Sequence, residues 1–169
     1  FMMKLIDRIM NLRTKHNKPE FIIGYRLSPE EIEDPGITIE DTLFLIDELS
    51  YKDIDYIHLS TGHYKQKSIR NKDETVSLIY RIMEHVQDRI AIIGVGQIDT
   101  LKDIEDVSFL GYSMAAIGLA ALADKEFVEH VRDGIPLNKE FSEDCMLPTK
   151  LFERLSSWMK NSDRGYTVK

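Results

Sequence analysis

Two stretches have the residue types and order of an anion grip: Ile90-Ala-Ile-Ile-Gly-Val-Gly-Gln-Ile-Asp99 and Met114-Ala-Ala-Ile-Gly-Leu119. Each runs from an apolar, strand-like segment into glycine just ahead of a helical pattern. A glycine at such a join lets an anion approach backbone N–H groups at a helix start, because no Cβ stands in the way. Gly94, Gly96 and Gly118 are therefore candidate anion contacts. One Gly-x-Gly is a weak signal, lacking the third glycine and the downstream acid of a dinucleotide fingerprint. Its recurrence in the next strand–helix unit gives it weight. The competing explanation is two tight turns that need glycine for steric reasons alone.

Other residues with chemical potential are fewer. Arg26 ends an otherwise apolar stretch and could hold an anion or an electron-rich heterocycle, or be an ion-paired arginine at a strand edge. Ser60-Thr-Gly-His-Tyr64 combines hydroxyls and a glycine, which suits close ligand approach; Thr61, Gly62 and His63 are its substrate-side candidates, and His63 or Tyr64 could donate to a substrate, although His63 alone reads as an exposed turn residue. His58, inside a strand pattern, reads as a satisfied core or interface histidine. His16, His85 and His130 show no pairing, and no metal-ligand spacing occurs. The carboxylates Glu30/Glu31, Asp53/Asp55 and Asp103/Glu105/Asp106 read as lying mainly on solvated faces or in loops. No Ser–His–Asp or Cys–His arrangement stands out, and Cys145 reads as structural or incidental.

The elements that would carry these residues follow from hydrophobic periodicity. Residues 1–17 place Met2, Leu5, Ile6, Ile9, Met10 and Leu12 mostly on one helical face. Phe21–Leu27 reads as a buried strand ending at Ser28-Pro29. Thr38-Ile-Glu-Asp41 is a helix start ahead of Leu43, Phe44, Ile46 and Leu49. Strands over 54–60, 90–95 and 114–117 alternate with helices over 74–86, 100–107 and 125–132, the first of these with Val76, Leu78, Ile79, Ile82 and Met83 inward. Four βα units in alternation imply parallel strands with right-handed crossovers: one half of an eight-unit barrel, or a small open sheet. In a barrel, twin glycine joins in consecutive units look like the phosphate grip after strands 7 and 8. Runs such as Ile90-Ala-Ile-Ile93 suit strands covered on both faces. Beyond Pro136 the pattern weakens to one helix over 151–159, and residues 161–169 read as poorly ordered.

Size and composition bound the rest. At 169 residues the chain suffices for one buried domain but not for a full barrel of about 250. Apolar and charged fractions of 43% and 30% are those of a soluble globular protein. A net charge of −7 argues against a nucleic-acid or anionic-membrane surface. A single cysteine allows no internal disulfide and fits a cytoplasmic location. No run is long enough to span a bilayer, and Lys4, Asp7 and Arg8 interrupt any signal-peptide core. Opening at Phe1-Met-Met3 inside a helical pattern, the chain reads as part of a longer protein.

Taken together, Phe21-Ile-Ile-Gly-Tyr-Arg-Leu-Ser-Pro-Glu-Glu31, Gly36-Ile-Thr-Ile-Glu-Asp41 and Asp55-Tyr-Ile-His-Leu-Ser-Thr-Gly62 resemble the C-terminal half of the Old Yellow Enzyme family of FMN-dependent, NAD(P)H-consuming oxidoreductases. Phe1 resembles the residue after that family's Glu-Asn-Arg segment. Ile92-Ile-Gly-Val-Gly-Gln-Ile98 and Ala116-Ile-Gly-Leu-Ala-Ala-Leu-Ala-Asp124 resemble its two flavin phosphate loops. The resemblance runs from residue 1 to about 134, so that 1–134 reads as the C-terminal half of an FMN-binding TIM barrel and 135–169 as an extension.

The resemblance implies roles. Arg26 would contact the flavin near N1/O2 and stabilise negative charge on the reduced ring. Gly96, Gln97 and Gly118 would offer backbone N–H groups to the FMN phosphate, and Thr61 and Gly62 would lie on the cofactor or substrate face. Leu119 stands where the family carries an arginine, which removes a charge-assisted contact. The family's substrate-anchoring His/His or His/Asn pair and its proton-donating tyrosine belong to the other barrel half, so no catalytic residue is assigned within this chain.

The expected function is accordingly that of part of an ene-reductase-type oxidoreductase, passing hydride from NADH or NADPH through FMN to a small-molecule acceptor, with no appreciable turnover by this chain alone. Its missing barrel half, or self-association, would cover the open sheet edges. Neither nucleic acid nor membrane is an expected partner. The alternative is a non-catalytic half-barrel module that binds a phosphate ligand or a partner subunit. An unrelated isomerase or aldolase barrel is disfavoured because no strand-end lysine or carboxylate pair is placed as a base.

Overall fold

The computed structural model describes residues 1–142, 145 and 147–169. The chain divides into two compact units, Phe1–Gly96 with Val107–Ala115, and Gln97–Asp106 with Ala116–Lys169.

The first unit begins with helix α1 (Met2–Lys15) and is organised around the strands β1 (Gly24–Leu27), β2 (Tyr56–Leu59) and β3 (Ala91–Val95). β1 pairs parallel with β2 and β2 parallel with β3, and β4 (Met114–Ala116) lies beside β3, giving the order β1-β2-β3-β4. Helix α2 (Ile39–Ser50) joins the first two strands, α3 (Leu78–Val86) the next two, and α4 (Leu101–Phe109) leads to the last. This is the sequential βα arrangement of one half of an eight-stranded barrel. α2 starts where Thr38 was expected to start it. The Thr38 hydroxyl accepts from the Asp41 N–H at 3.2 Å and the Asp41 carboxylate accepts from the Thr38 N–H at 3.0 Å, a reciprocal cap.

Ile46, Leu49, Ile57, Ile82, Val86 and Ile92 are fully buried in this unit. They lie on α2, on α3 and on one face of β2 and β3. The other face alternates with them: Tyr56, His58, Ala91, Ile93 and Val95 are half-buried, and Arg26 is exposed. The strands are thus covered on one face, not on both. Successive right-handed crossovers along a sequentially ordered sheet carry every helix to the same side, so nothing in this unit's helices reaches the other.

Several side chains depart from the sequence pattern. Phe21 and Ile22 are exposed and precede β1, which starts only at Gly24; Phe44, and Met2, Leu5 and Leu12 of α1, are also exposed. α3 starts at Leu78 rather than at residue 74, because Ser77 forms an antiparallel bridge with Lys67, which leaves Val76 outside the helix and exposed.

The second unit contains α5 (Leu119–Ala123), α6 (Phe127–Asp133), α7 (Thr149–Lys160) and a two-stranded parallel pair, β5 (Glu140–Phe141) and β6 (Thr167–Val168). Phe141, Met159, Tyr166 and Ala123 form its core, with Leu119, Leu122, Cys145, Phe152 and Leu155 packed against it. Residues 161–169 therefore differ from expectation: they end in a strand and bury Tyr166. A two-residue strand is too short to leave a periodic signal. Among the described residues no helix is long and apolar enough to cross a membrane.

Candidate functional site

In the first unit the strand tips assemble several of the candidate residues. Arg26 stands on the half-covered face of β1, in register with His58 of β2, and its Nη2 donates to the Ser60 hydroxyl at 2.6 Å. Contrary to the satisfied histidine expected, the His58 Nε2 is buried and has no hydrogen-bond partner among the described residues. Burial, reinforced by the positive charge of Arg26, holds the His58 imidazole below its ordinary pKa. The pair therefore presents one fixed cation beside a neutral ring, not two competing cations.

The loop after β2 and the tip of β3 are interlocked. The Thr61 hydroxyl donates to the Val95 carbonyl at 2.8 Å, and the Tyr64 N–H donates to the Gly96 carbonyl at 3.0 Å. Beneath them the buried Tyr112 hydroxyl donates to the Tyr64 carbonyl at 2.8 Å, and burial raises its pKa. Gly96 has φ +106°, and a Cβ there would lie 2.7 Å from Thr61 O, Gly62 C and His63 N. Gly94 leaves room for the Tyr112 ring, 2.8 Å from where its Cβ would be. Both glycines thus have a steric reason to be glycine, whatever Gly96 does with a ligand. Within the same loop, the Gly62 N–H donates to Gln66 Oε1 at 2.9 Å. His63 stacks on Tyr64 and accepts from the Lys65 N–H through Nδ1 at 2.9 Å.

The second unit holds Gln97, Gly118 and Leu119. Gln97 adopts φ +53°, a left-handed conformation uncommon for a side-chain-bearing residue. Gly118 precedes the short helix α5, whose start has no side-chain cap. A Cβ at Gly118 would meet nothing within 4 Å. The first amides of a helix have no partner inside it, so the open backbone at Gly118 suits an approaching anion. Leu119 packs its side chain against the Phe141–Met159–Tyr166 core. Leu119 is half-buried, and its apolar side chain serves the packing of the second unit.

Features that the sequence reading assigned to solvent, or did not single out, also shape these loops. Glu30 lies in a loop, as expected, but at 5% exposure it is buried there. Its carboxylate accepts from the Ser68 hydroxyl at 3.0 Å and the Ile69 N–H at 2.8 Å, while Arg70 donates to the Glu31 and Glu33 carbonyls. Nothing local distinguishes Glu30 from Glu31. His130, read as unpaired, lies 2.8 Å from Asp124 through Nδ1 and 3.3 Å from Glu126 through Nε2. The Asp124 hydrogen bond, aided by both carboxylate charges, raises its pKa. Among the described residues, no group of three or more His, Cys, Asp or Glu side chains gathers as a metal site.

The model of the NADH:flavin oxidoreductase / NADH oxidase family matches residues 1–138. The chain is 38% identical over 127 residues to the NADH:acrylate oxidoreductase of Vibrio harveyi, an alignment covering 73% of this chain and 13% of that protein. It is 34% identical over 134 residues to the probable NADH-dependent flavin oxidoreductase YqiG of Bacillus subtilis (79% and 36%). With the NADH:fumarate oxidoreductase of Klebsiella pneumoniae the identity is 31% over 137 residues (79% and 15%). The chain thus spans 36% or less of the length of these relatives. Among solved structures, morphinone reductase shares its fold with a TM-score of 0.52 at 19% identity, over 77% of this chain and 34% of that one.

Proposed function

The chain belongs to the NADH:flavin oxidoreductase / NADH oxidase family, and from that premise we propose that it supplies flavin-ring and phosphate contacts of an FMN-dependent, ene-reductase-type NAD(P)H oxidoreductase. The observation that carries the reading is Arg26, an exposed guanidinium on β1, tethered by Ser60 beside a neutral His58. A cation fixed before the ligand arrives stabilises developing negative charge without reorganising. Bound FMN supplies the hydride-transfer chemistry between NADH or NADPH and a small-molecule acceptor.

The chain's own residues bind and orient. Arg26 would set a positive charge beside the flavin ring and would stabilise negative charge developing there. Gly96, Gln97 and Gly118 offer backbone N–H groups to the phosphate. With the half-buried Leu119 packed against the second unit's core, this grip works through backbone dipoles and lacks a guanidinium, so the phosphate is held less tightly than a bidentate arginine would hold it. Thr61, Gly62 and His63 line the substrate side. The remaining portion of the barrel, or a second copy, covers the open face of β1–β3 and completes the catalytic set; residues 1–134 are the barrel half and 135–169 an extension to it. Alone, the chain has no appreciable turnover.

Titrating the purified chain with FMN and with riboflavin, followed by flavin fluorescence, tests this. FMN is expected to bind at least about tenfold more tightly than riboflavin, the equivalent of about 1.4 kcal/mol from the phosphate. Arg26→Gln is expected to shift the reduction potential of the bound flavin to more negative values. A chain that takes up no FMN would leave the non-catalytic half-barrel module as the better reading, one that the apolar packing of Leu119 already favours.

A further inference from the structure

We propose that the C-terminal segment is a clamp on the Gln97 turn, in which Arg164 and Tyr166 are positioning residues acting through Asp99. Asp99 is buried, at 8% exposure, and a buried carboxylate must be paired to be tolerated. Its partners come from the far end of the chain. Arg164 donates from Nε to Asp99 Oδ2 at 2.8 Å and from Nη2 to Oδ1, and the Tyr166 hydroxyl donates to Oδ1 at 2.9 Å. Such a bidentate arginine fixes orientation as well as distance.

The backbone of Asp99 is held from the other direction. Its N–H donates to the Asp103 carboxylate at 3.1 Å, which also accepts from the Thr100 hydroxyl at 2.7 Å. Between Asp99 and Gln97 lies only Ile98, which is itself buried. Gln97 is therefore two residues from an anchor fixed on both its backbone and its side chain. A side-chain-bearing residue in the left-handed region persists where its surroundings over-determine it, and the Asp99 anchor is one such constraint.

The clamp is itself braced. The Arg164 guanidinium sits over the rings of Trp158 and Tyr166, Lys139 donates to the Arg164 carbonyl at 3.4 Å, and Thr167–Val168 pairs with Glu140–Phe141. Arg164, Tyr166 and Trp158 all lie beyond the residues that the family model matches. The shape of the Gln97 turn thus depends on a segment outside the family's shared pattern. What the turn holds rests on the proposed function, whereas the clamp rests on the contacts alone.

The test compares the 169-residue chain with Arg164→Gln and Tyr166→Phe. In the ligand-free proteins, amide exchange at Asp99 and Asp103 is expected to accelerate about tenfold or more in Arg164→Gln and less in Tyr166→Phe. With ligand, the preference for FMN over riboflavin is expected to fall by about tenfold in Arg164→Gln while riboflavin affinity stays unchanged. A merely structural role would lower the melting temperature and leave that preference intact, which would overturn the positioning role. Unchanged exchange at Asp99 and Asp103 in both variants would overturn the clamp itself. Should Arg164→Gln unfold the second unit, Tyr166→Phe, which removes a single hydroxyl, carries the same two readouts. A wild type that binds FMN no better than riboflavin would refute the phosphate role of the turn, and the exchange comparison would still decide the clamp.

Discussion

Gly96→Ala is the sharpest perturbation of the strand-tip architecture. A side-chain-bearing residue at φ +106° is strained by about 1–3 kcal/mol. The new methyl would also sit 2.7 Å from three backbone atoms of Thr61, Gly62 and His63. Overpacking typically costs about 1–3 kcal/mol, and backbone atoms cannot swing aside as a flexible side chain does, so the upper part of that range applies. Together the two effects amount to about 4 kcal/mol, which for a chain of this length lowers the melting temperature by about 8–16 °C. Urea unfolding followed by far-UV circular dichroism measures the loss, and exchange of the Tyr64 amide, bonded to the Gly96 carbonyl, should report it locally. Gly118→Ala is the matched control: φ is −117° and nothing lies within 4 Å of the added methyl, so stability should stay within about 0.5 kcal/mol of wild type. A Gly96→Ala protein within about 1 kcal/mol of wild type would refute the close backbone packing.

Two further outcomes are expected. Glu30→Ala would strand the Ser68 hydroxyl and the Ile69 N–H at a loss of about 1–3 kcal/mol, with faster exchange of the Ile69 amide; an unchanged Ile69 rate would contradict the buried lock. For the His130–Asp124 pair, His130 is raised above its ordinary 6.5, chiefly by the Asp124 hydrogen bond. Burial pushes Asp124 up, but bonds from His130 and the N–H groups of Asn138 and Glu126 outweigh it and hold the acid below its ordinary 3.8. The stabilisation from His130 is full below pH 6.5 and is lost as pH rises through the raised folded value, and that from Asp124 is lost as pH falls through its lowered one. Melting temperatures across this range should therefore decline on the alkaline side, and His130→Asn should flatten that decline; an unaltered slope would refute the pairing.

The alternation of strands and helices was legible because each apolar run has its own period, and the cap at Thr38 because its partner is three residues away. Burial was less legible. Phe44 and Val76 match a helical stripe in type, but which face is covered depends on where the crossovers put the other helices. The glycines of the β3 tip announced themselves, yet what crowds Gly96 comes from residues 61–63, and what fills the space at Gly94 comes from Tyr112. The anchor of Asp99 is 65 residues away along the chain, joined by no pattern a single sequence displays. Chemistry-bearing types were visible, in short, and their distant partners were not.

The interlocked tips of β2 and β3 have a kinetic consequence. With Thr61 bonded to Val95 and Tyr64 to Gly96, neither loop can swing out without breaking its hold on the other. A ligand held at this edge, as the proposed function has it, would meet surfaces that are already ordered, so its association would be governed by encounter and orientation and not by a closing gate. Variation in affinity among ligands at this edge should then appear in how fast they leave, with arrival rates nearly alike.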